Sequence, residues 1–472
     1  MVAFPVLSGR LVGLLIRRSA FLSVESQLTG EASIKVAIVG AGPSGFYAAQ
    51  ALLDASPDCA IDIVERLATP YGLIRSGVAP DHPTTKNIES TFAQTAADPR
   101  VRLFANVAVG RDIALDELRD LYDAVVLAIG APLDAPLDVP GHDLPGVYGA
   151  AEFVGWYNGH PDFAGLDPNL DTPGAVIVGN GNVAIDIARI LAKSIAELST
   201  TDIADHALEK LTASSVRNIA IAGRRGAVEA KFTNVELAEL REMENAVAIT
   251  DGAALPETVG SNLSPRDLRV KEKNLRCFHD FSRANPASRP RRIDFLFHAR
   301  PVAIIGPERA TAIRFERMSP VDGTPIGTGQ HFEVPCGLVV SAIGYRSAAL
   351  AGLADASRRE TGRLDRGLYS VGWFKRGPSG KIATNRADGE ALAATLLAEI
   401  EPSSKPGGAA LERLLVERRC LWIDFEAWRS IDAEERRTAR SGAPRRKLVR
   451  LDDMLALVGV FGRGIVVPFA KN

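Results

Sequence analysis

Two glycine-rich turns, each directly after a short apolar run, constrain the fold of this 472-residue chain more than any other feature. The first lies in VAIVGAGPSGFYAAQ at 36–50, and the second lies in AVIVGNGNVAIDIAR at 175–189. A strand, a Gly-x-Gly-x-x-Gly/Ala turn and a helix form the dinucleotide-binding unit of a parallel sheet. The sequence therefore predicts an α/β protein with two nested Rossmann-like nucleotide-binding domains, each built on a doubly wound, mostly parallel sheet.

The first turn carries the pattern of a site for a nucleotide with a free ribose. Gly40, Gly42 and Gly45 allow a tight turn, a close approach to a pyrophosphate and close packing of helix on strand. The next apolar run ends at Glu65. A carboxylate there accepts hydrogen bonds from ribose hydroxyls and repels a 2′-phosphate. We therefore expect FAD at the first turn.

The second turn is followed by the opposite charge. Its small residues are Gly179, Gly181 and Ala184, and the strand after it ends in Arg224 and Arg225. Two guanidinium groups can hold a phosphate through forked, charge-assisted hydrogen bonds. We therefore expect NADP(H) at the second turn. Two dinucleotides in one chain indicate electron transfer between them.

The composition excludes several other classes of protein. The net charge is −2, so nothing indicates a nucleic-acid partner, and no apolar run approaches the ~20 residues that span a bilayer. We expect neither a nucleic-acid partner nor stable membrane insertion, and no set of residues predicts a metal site. The absence of any CxxC pair argues against a redox dithiol. The cysteines are Cys59, Cys277, Cys336 and Cys420.

Residues 1–33 differ from the rest of the chain. They contain Arg10, Arg17 and Arg18 and no acid before Glu25. We expect a disordered N-terminal extension, with an organellar presequence or an overlong assigned start as alternatives. The protein is accordingly expected in the cytoplasm, or in the mitochondrial matrix if the extension is a presequence.

Two similar stretches suggest how one domain is inserted in the other. LAIGAP at 127–132 and SAIGYR at 341–346 each join an apolar strand to a turn, as expected for an entry and an exit crossing. The predicted division is a first part of the FAD domain at 34–133, an NADP domain at 134–340, and a second FAD part with C-terminal helices at 341–472. Within the NADP domain, the sequence predicts an irregular, basic stretch over 255–300.

A further glycine-rich stretch, GLYSVGWFKRGPSGKIATN at 367–385, reads as strand, turn and helix. Gly377 and Gly380 allow the backbone to approach a ligand closely. We expect this segment to complete the flavin pocket, with its helix directed at the flavin ring.

The chain resembles the adrenodoxin reductase family of ferredoxin–NADP reductases, including its bacterial members. The resemblance covers nearly everything from residue 34 to the C-terminal region, and two of its blocks are more specific than the glycine turns. The matching stretches are VGAGPSGFYAAQ, ATPYGLIRSGVAPDHP, FVGWYNGHP, GNGNVAIDIARIL, GRRG with FTNVELAEL, and VGWFKRGPSGKIATN. The resemblance implies an FAD-dependent transfer of hydride from NADPH, followed by single-electron transfer to a ferredoxin.

The resemblance also implies which residues contact the cofactors. The implied flavin contacts, beyond the three glycines, are Ser44, Glu65, Leu73, Val109, Trp373, Gly380, Lys381 and Ile382. The implied NADP contacts are Asn180, Gly181, Asn182, Val183, Arg224, Arg225, Glu236 and Gly380. One departure from the family is Ala135, because some relatives carry an NADP-binding arginine near this position.

The implied catalytic pair is His82 of PDHP and Glu239 of VELAEL, with a role in positioning and proton handling. Without the resemblance, His82 reads as a loop histidine and Glu239 as a solvated side chain. Glu236 and Glu239 are three residues apart, so they share one face if the segment is helical.

The implied partner is an adrenodoxin-like [2Fe–2S] ferredoxin, and the protein is expected to be a monomer. An acidic ferredoxin requires a local basic face, for which the candidates are Arg283, Arg289, Arg291 and Arg292, or Arg445, Arg446 and Lys447. Three alternatives stay open from the residues alone: a pyridine nucleotide–disulfide reductase, an NADPH-dependent flavin monooxygenase or oxidase, and a non-enzymatic nucleotide-sensing module.

Overall fold

The computed structural model describes residues 33–260, 263–321, 323–353 and 361–459. The predicted N-terminal extension therefore lies, apart from residue 33, outside the described residues. Within these ranges no helix combines the length and the apolar character needed to cross a membrane.

Strands and helices alternate along most of the described chain. The strands are β1 Lys35–Val39, β2 Ala60–Glu65, β3 Val101–Ala105, β4 Ala124–Leu127, β5 Leu133–Asp134, β6 Val147–Gly149, β7 Gly174–Val178, β8 Asn218–Ala222, β9 Ala246–Thr250, β10 Arg291–Leu296, β11 Ala299–Ile305, β12 Ala312–Val321, β13 Thr324–Pro335, β14 Leu338–Ser341, β15 Tyr345–Arg346, β16 Arg363–Asp365 and β17 Leu368–Ser370.

The α-helices are numbered in the same way. They are α1 Pro43–Ala55, α2 Leu73–Ser76, α3 Pro83–Lys86, α4 Glu89–Ala96, α5 Leu115–Leu121, α6 Ala150–Asn158, α7 Asn182–Ala192, α8 Ile195–Ser199, α9 Asp205–Thr212, α10 Asn234–Glu239, α11 Pro265–Phe281, α12 Trp373–Arg376, α13 Thr384–Glu399, α14 Gly408–Glu417, α15 Phe425–Arg437 and α16 Leu451–Leu457. Two short 3₁₀ turns lie at Pro161–Phe163 and Gly252–Ala254.

The first sheet combines strands from both ends of the described chain, in the order β16, β17, β4, β1, β2, β3. All neighbours are parallel except β16, which runs antiparallel to β17. The strands β1 and β4 are almost entirely buried, as expected for a parallel sheet with helices on both faces. The chain leaves this sheet after β4 and returns to it at β16.

The second sheet lies between these two visits, with the order β6, β14, β7, β8, β10, β9 and every pair parallel. The strands β5 and β15 form a small antiparallel ribbon in which Asp134 lies opposite Tyr345. The entry and exit crossings are therefore side by side. The segment that forms the second sheet is thus inserted between two parts of the chain that form the first, which confirms the predicted fold class.

The stretch 255–300 was predicted to be irregular, and this prediction is wrong. It contains the long helix α11 and the strand β10. Ser264 caps α11 by accepting a hydrogen bond from the amide of Asp267, and Pro265 occupies the first turn. The buried face of α11 packs Phe278 against Phe295 of β10, with ring centroids 5.1 Å apart. The basic residues that suggested irregular structure lie on the exposed face of α11, in the loop that follows it (Arg283 and Arg289) and at the start of β10 (Arg291 and Arg292).

An antiparallel meander of β11, β12 and β13 follows, and the sequence did not indicate it. Its inner residues, including Ile313 and Phe315, pack with Val176 of β7 and Val339 of β14 in one hydrophobic cluster. The meander thus covers one face of the second sheet.

Residues 440–447 are called the C-terminal strap. The prediction that Arg445, Arg446 and Lys447 of this strap form a ferredoxin-docking cluster is wrong. Arg445 and Lys447 are only 5% and 6% exposed, so they cannot form a docking face. Arg445 lies 2.5 Å from Glu89 and 2.9 Å from Asp432, and Lys447 lies 3.3 Å from Asp202. Local pairing, which a linear reading cannot detect, balances these charges.

The strap also joins the two halves of the molecule. Arg440 and Arg446 both pair with Asp205 of α9, in the crossover after β7. Lys86 of α3 binds both carboxylate oxygens of Asp202, at 2.6 and 2.8 Å. The strap and α3 therefore hold the segment between α8 and α9 from two sides.

The charged residue most completely enclosed by this network is Glu435, whose side chain is fully buried. Arg75 of α2 donates to both of its carboxylate oxygens, and the amide of Leu448 donates to one of them at 2.7 Å. This contact connects α15 with α2 near the first glycine turn.

We predict that Glu435→Gln lowers the free energy of unfolding by roughly 3 kcal/mol, because it leaves the buried Arg75 without a counter-charge. Urea unfolding at constant flavin saturation measures the change. Glu434→Gln is the matched control, since Glu434 pairs with Arg437 at the surface and its loss should matter little. Equal midpoints for the two variants would contradict the structural role assigned to Glu435.

Candidate functional site

Both glycine turns lie at the carboxyl edges of the parallel sheets, where α1 and α7 begin. Gly40 has φ +111° and Gly179 has φ +144°, so each adopts a conformation that side chains disfavour. A Cβ on Gly40 would lie 2.5 Å from the carbonyl oxygen of Ala128, and one on Gly179 would lie 2.2 Å from that of Ala342. Each turn therefore packs directly on one of the two Ala-Ile-Gly crossings.

The helices that follow the turns present uncapped N-termini. Gly42 and Gly181 are the N-cap residues of α1 and α7, and neither end has a side-chain cap. Free amide groups and the helix dipole make such an end suited to a pyrophosphate. The predicted positions Ser44, Asn182 and Val183 lie in these first turns.

The surroundings of the first turn fit an adenine dinucleotide with a flat ring system. A Cβ on Gly72 would lie 3.0 Å from the Cα of Gly42, so two backbone segments approach each other closely there. The adjacent Leu73 leaves 48% of its apolar side chain exposed. An apolar side chain beside a glycine cradle fits the predicted flavin contact at Leu73.

Glu65 lies at the end of β2, where the sequence pattern requires an acid. Its carboxylate accepts hydrogen bonds from the amides of Ala41 at 2.8 Å and Leu67 at 2.9 Å, and burial raises its pKa. The residue therefore braces the first turn through two backbone amides. The prediction that it holds a ribose stays a prediction, as does that for Val109, which forms an isolated bridge with Ile113 after β3.

The C-terminal glycine-rich segment lies against the first turn. Ser44 Oγ donates to Asn385 Oδ1 of α13 at 3.1 Å, and Trp373 Nε1 donates to the carbonyl of Ser379 at 3.0 Å. The ring of Trp373 also stacks on Tyr345 of the exit crossing, with centroids 6.1 Å apart. Residues 380–382 form the turn that leads into α13, with the amide of Lys381 bonded to Thr384 Oγ1.

The second turn contains polar groups that lack partners. Both side-chain polar atoms of Asn180 are buried without a hydrogen-bond partner. Arg224 and Arg225, just after β8, are exposed, and neither side chain forms an ion pair or hydrogen bond within the part of the chain that the structure describes. A buried orphan amide beside two unpaired cations fits a phosphorylated dinucleotide.

Ala135 marks a place where this chain supplies no side-chain contact to a phosphate. Its amide donates a hydrogen bond to the carbonyl of Gly344 at 2.9 Å, at the end of the ribbon of β5 and β15. Ala135 therefore cannot provide the NADP contact that an arginine near this position makes in some relatives.

His82 and Glu239 come together although they are far apart in the sequence. His82 is the N-cap residue of α3, and Glu239 ends α10. Their closest atoms, His82 Nε2 and Glu239 Oε2, are 3.1 Å apart, and Glu236 Oε2 lies 3.6 Å from the same nitrogen. The two glutamates thus share a face of α10, as their spacing predicts.

The pair favours its charged form. Burial opposes protonation of His82, but the hydrogen bond that its Nε2 donates to Glu239 gives a net rise in the pKa of His82. The same bond lowers the pKa of Glu239. Burial, followed by the nearby Asp186, raises the pKa of Glu236. One glutamate therefore stays ionised beside the histidine while the other takes up a proton more readily.

Arg189 is the residue of this cluster that the sequence analysis missed. It lies on α7, is 1% exposed, and binds both carboxylate oxygens of Asp81, the residue before His82, at 2.6 and 3.0 Å. Its Nη1 atom lies 3.3 Å from Glu239 Oε2 and 3.5 Å from Glu236 Oε2. The available signal was an arginine in the otherwise apolar end of NVAIDIARILA.

The ligand atoms of His82, Glu236 and Glu239 all lie within 4.8 Å of one another, a spacing also found in metal sites. The Arg189 guanidinium, however, already supplies a positive charge to both carboxylates. A second cation at this point would be repelled. The arrangement is therefore better suited to holding a proton than a metal ion.

Comparison with known proteins agrees with this geometry. A family model described as pyridine nucleotide-disulphide oxidoreductase matches residues 34–248. NADPH-ferredoxin reductase FprA of Mycobacterium leprae is 41% identical over 446 residues, which cover 89% of this chain and 98% of that protein. The mitochondrial NADPH:adrenodoxin oxidoreductase of Homo sapiens is 40% identical over 459 residues, covering 91% of this chain and 93% of that protein.

A solved structure of Mycobacterium tuberculosis FprA in complex with NADPH superposes with a TM-score of 0.85 at 39% sequence identity, covering 90% of this chain and 99% of that one. The agreement extends over nearly the full length of each relative, so it includes both sheets and the C-terminal helices. The chain therefore belongs to the adrenodoxin reductase-type family of ferredoxin–NADP reductases, which confirms the resemblance found in its sequence motifs.

Proposed function

We propose that this protein is an FAD-dependent NADPH:ferredoxin oxidoreductase. The observation that supports this best is the pairing of the two glycine turns with opposite partners, a buried carboxylate at one and two unpaired guanidinium groups at the other. Bound FAD supplies the chemistry of accepting a hydride from NADPH and passing electrons singly to an acceptor.

The chain's own residues position the cofactors. The first glycine turn, Glu65, Leu73 and Val109 would hold FAD, together with Trp373 and residues 380–382. The second turn with Asn180, Arg224 and Arg225 would hold NADP(H), and Glu236 would add a further contact to it. We further propose that residues 34–133 and 341–472 form the FAD domain around an NADP domain at 134–340.

His82 and Glu239 handle the proton that accompanies electron transfer. Because the hydrogen bond to Glu239 overcomes burial and raises the pKa of His82, a proton stays on Nε2 to higher pH than on a free imidazole. The ionised Glu239 orients that nitrogen. The pair can therefore give up or accept a proton at His82 Nε2 without a large rearrangement.

The disulfide-reductase alternative lacks its dithiol. The four cysteines are all free, and three of them are buried at separate places in the fold. Burial raises the pKa of Cys59 and Cys336 to about 12, so neither is a thiolate at neutral pH. Thiol exchange beside a flavin is therefore not supported by the residues of this chain.

We propose a [2Fe–2S] ferredoxin as the partner, and a monomeric reductase. A groove of about 650 Å³ between α10 and α11 is lined by four cations, Arg241, Lys273, Arg276 and Arg283, and by two acids, Glu257 and Asp280. The excess positive charge next to the helix of Glu239 suits an acidic protein surface. Arg283 comes from the first docking cluster proposed from the sequence.

We propose a cytoplasmic location, with the mitochondrial matrix as the alternative if residues 1–33 act as a presequence. The plant and animal relatives carry the word mitochondrial in their names, and the mycobacterial relatives do not.

The direct test of the function is a spectrum of the purified protein. We expect a yellow flavoprotein that NADPH bleaches under anaerobic conditions and that a [2Fe–2S] ferredoxin reoxidises. A colourless protein would contradict the flavin assignment. NADPH-dependent oxygen consumption that forms a hydroxylated product would instead favour a monooxygenase.

Nucleotide preference is predicted to depend on the two arginines after β8. We expect Arg224→Ala/Arg225→Ala to raise the KM for NADPH by about 30- to 1,000-fold, as follows from losing roughly 2–4 kcal/mol of charge-assisted hydrogen bonds. The KM for NADH should change little. Arg436→Ala/Arg437→Ala, an adjacent exposed pair on α15, is the control. An unchanged NADPH-to-NADH preference in the first variant would contradict the assignment.

Ferredoxin docking is predicted to depend on the basic groove. We expect Lys273→Glu/Arg276→Glu to raise the KM for ferredoxin by about tenfold at low salt and much less at high salt, because salt screens exposed charges. Flavin reduction by NADPH should keep its rate. Arg309→Glu/Arg413→Glu makes the same change in net charge at exposed positions outside the groove. Equal effects of the two variants would indicate a general charge effect rather than a docking site.

A further inference from the structure

Arg189 is a buried cation that binds Asp81, the residue before His82, through one edge of its guanidinium and approaches Glu239 through another. Its Nε and Nη2 atoms bind Asp81, and Nη2 also donates to Asp186 at 2.8 Å. Its Nη1 atom has no hydrogen-bond partner but lies within 3.5 Å of both glutamates of α10. A fully buried guanidinium therefore keeps one donor directed at the site.

This arrangement links three segments that chain connectivity leaves independent. Asp81 immediately precedes His82 in the loop before α3, whereas Arg189 belongs to α7 and Glu239 to α10. The first of these segments lies between β2 and β3 of the first sheet, and the other two lie between strands of the second sheet. The planar guanidinium holds fixed directions toward Asp81 and toward Glu239 at the same time, which a flexible ammonium group cannot do.

The charges around Arg189 also affect the pKa values of His82 and Glu239. The titratable groups that face it are Asp81 and His82 from the loop before α3, Asp186 and Lys193 from α7 and its end, Glu236 and Glu239 from α10, and Tyr157 from α6. Although burial opposes ionisation, the guanidinium holds the pKa of Asp81 far below its usual range. Its positive charge likewise works against protonation of His82.

We propose that Arg189 is a positioning residue for the reaction, which holds the His82 loop against α10 and keeps the proton of the His82–Glu239 pair exchangeable. This inference rests on the proposed function, because it concerns the same site. It assigns Arg189 no contact with substrate or cofactor.

Arg189→Lys tests the geometric part of the inference. A lysine keeps the charge but cannot bind Asp81 with a fork while it faces the glutamates. We expect the rate of anaerobic flavin bleaching by NADPH to fall about tenfold, with the KM for NADPH nearly unchanged. Arg102→Lys is the matched control, because Arg102 forms a comparable fork with the buried Asp62 away from the site.

Arg189→Gln tests the electrostatic part. Loss of the positive charge should raise the pKa of both His82 and Glu239, so the limb of the pH–rate profile that reports the pair should move to higher pH. The histidine ring signals in NMR give an independent readout, since the chain has seven histidines and His82→Gln identifies the signal of His82. We expect the midpoint of that signal to rise in Arg189→Gln and to stay nearly constant in Arg102→Lys.

The outcomes separate this inference from the proposed function. A wild-type protein that NADPH does not bleach contradicts the function, while the NMR titration still tests Arg189. Folded, flavin-loaded Arg189 variants with wild-type rates and an unchanged His82 midpoint would overturn the inference. A lower rate with an unchanged midpoint in Arg189→Gln would reduce Arg189 to a structural role and also overturn it. If Arg189→Gln does not fold, Asp81→Asn/Arg189→Gln removes the buried acid with the cation and is compared with Asp81→Asn alone. Because Asp81 raises the pKa of His82 and Arg189 lowers it, the His82 midpoint should be higher in the double variant than in Asp81→Asn, and equal midpoints would overturn the inference.

Discussion

The close contact between each glycine turn and the backbone of an Ala-Ile-Gly crossing is the constraint on which this architecture depends. At Gly40 and Gly179 a single added carbon would meet a carbonyl oxygen at 2.5 Å or less. The contact brings the strand that leaves each sheet directly beneath the turn that begins a helix. The amide groups of that helix therefore face outward at the sheet edge, where a pyrophosphate can reach them.

The charged residues at each sheet edge then determine which nucleotide that edge suits. The first edge has a buried glutamate, the second has exposed arginines, and the cluster of His82, Glu239 and Arg189 lies where segments of both halves meet. Buried charges are costly unless they are paired, so such a cluster persists only when the surrounding segments are held in register. The C-terminal strap contributes to that register by pairing with Asp202 and Asp205, and Asp202 also binds Lys86 at the end of α3 opposite His82.

The sequence was sufficient to predict the features encoded locally. The glycine turns, the apolar strands and the pairing of LAIGAP with SAIGYR follow from spacing and residue type. Features that depend on contacts between distant residues were not predictable. Arg445 and Lys447 look like a solvated basic run because their acids, such as Glu89 and Asp202, come from other elements. Arg189 was missed for the same reason, and α11 was hidden by the charges on its exposed face.

The ribbon of β5 and β15 has a consequence for how such a molecule can diversify. Because Asp134 and Tyr345 lie opposite each other in this antiparallel ribbon, the polypeptide enters and leaves the inserted unit at almost one point. A unit attached in this way can be exchanged as a cassette with a linker of only a few residues, and the remaining sheet keeps its strand order. The strap restricts that freedom, because any replacement must again offer acids to Arg440 and Lys447. The inserted unit can thus be exchanged at the crossing only if its acidic residues still match the basic residues of the C-terminal strap.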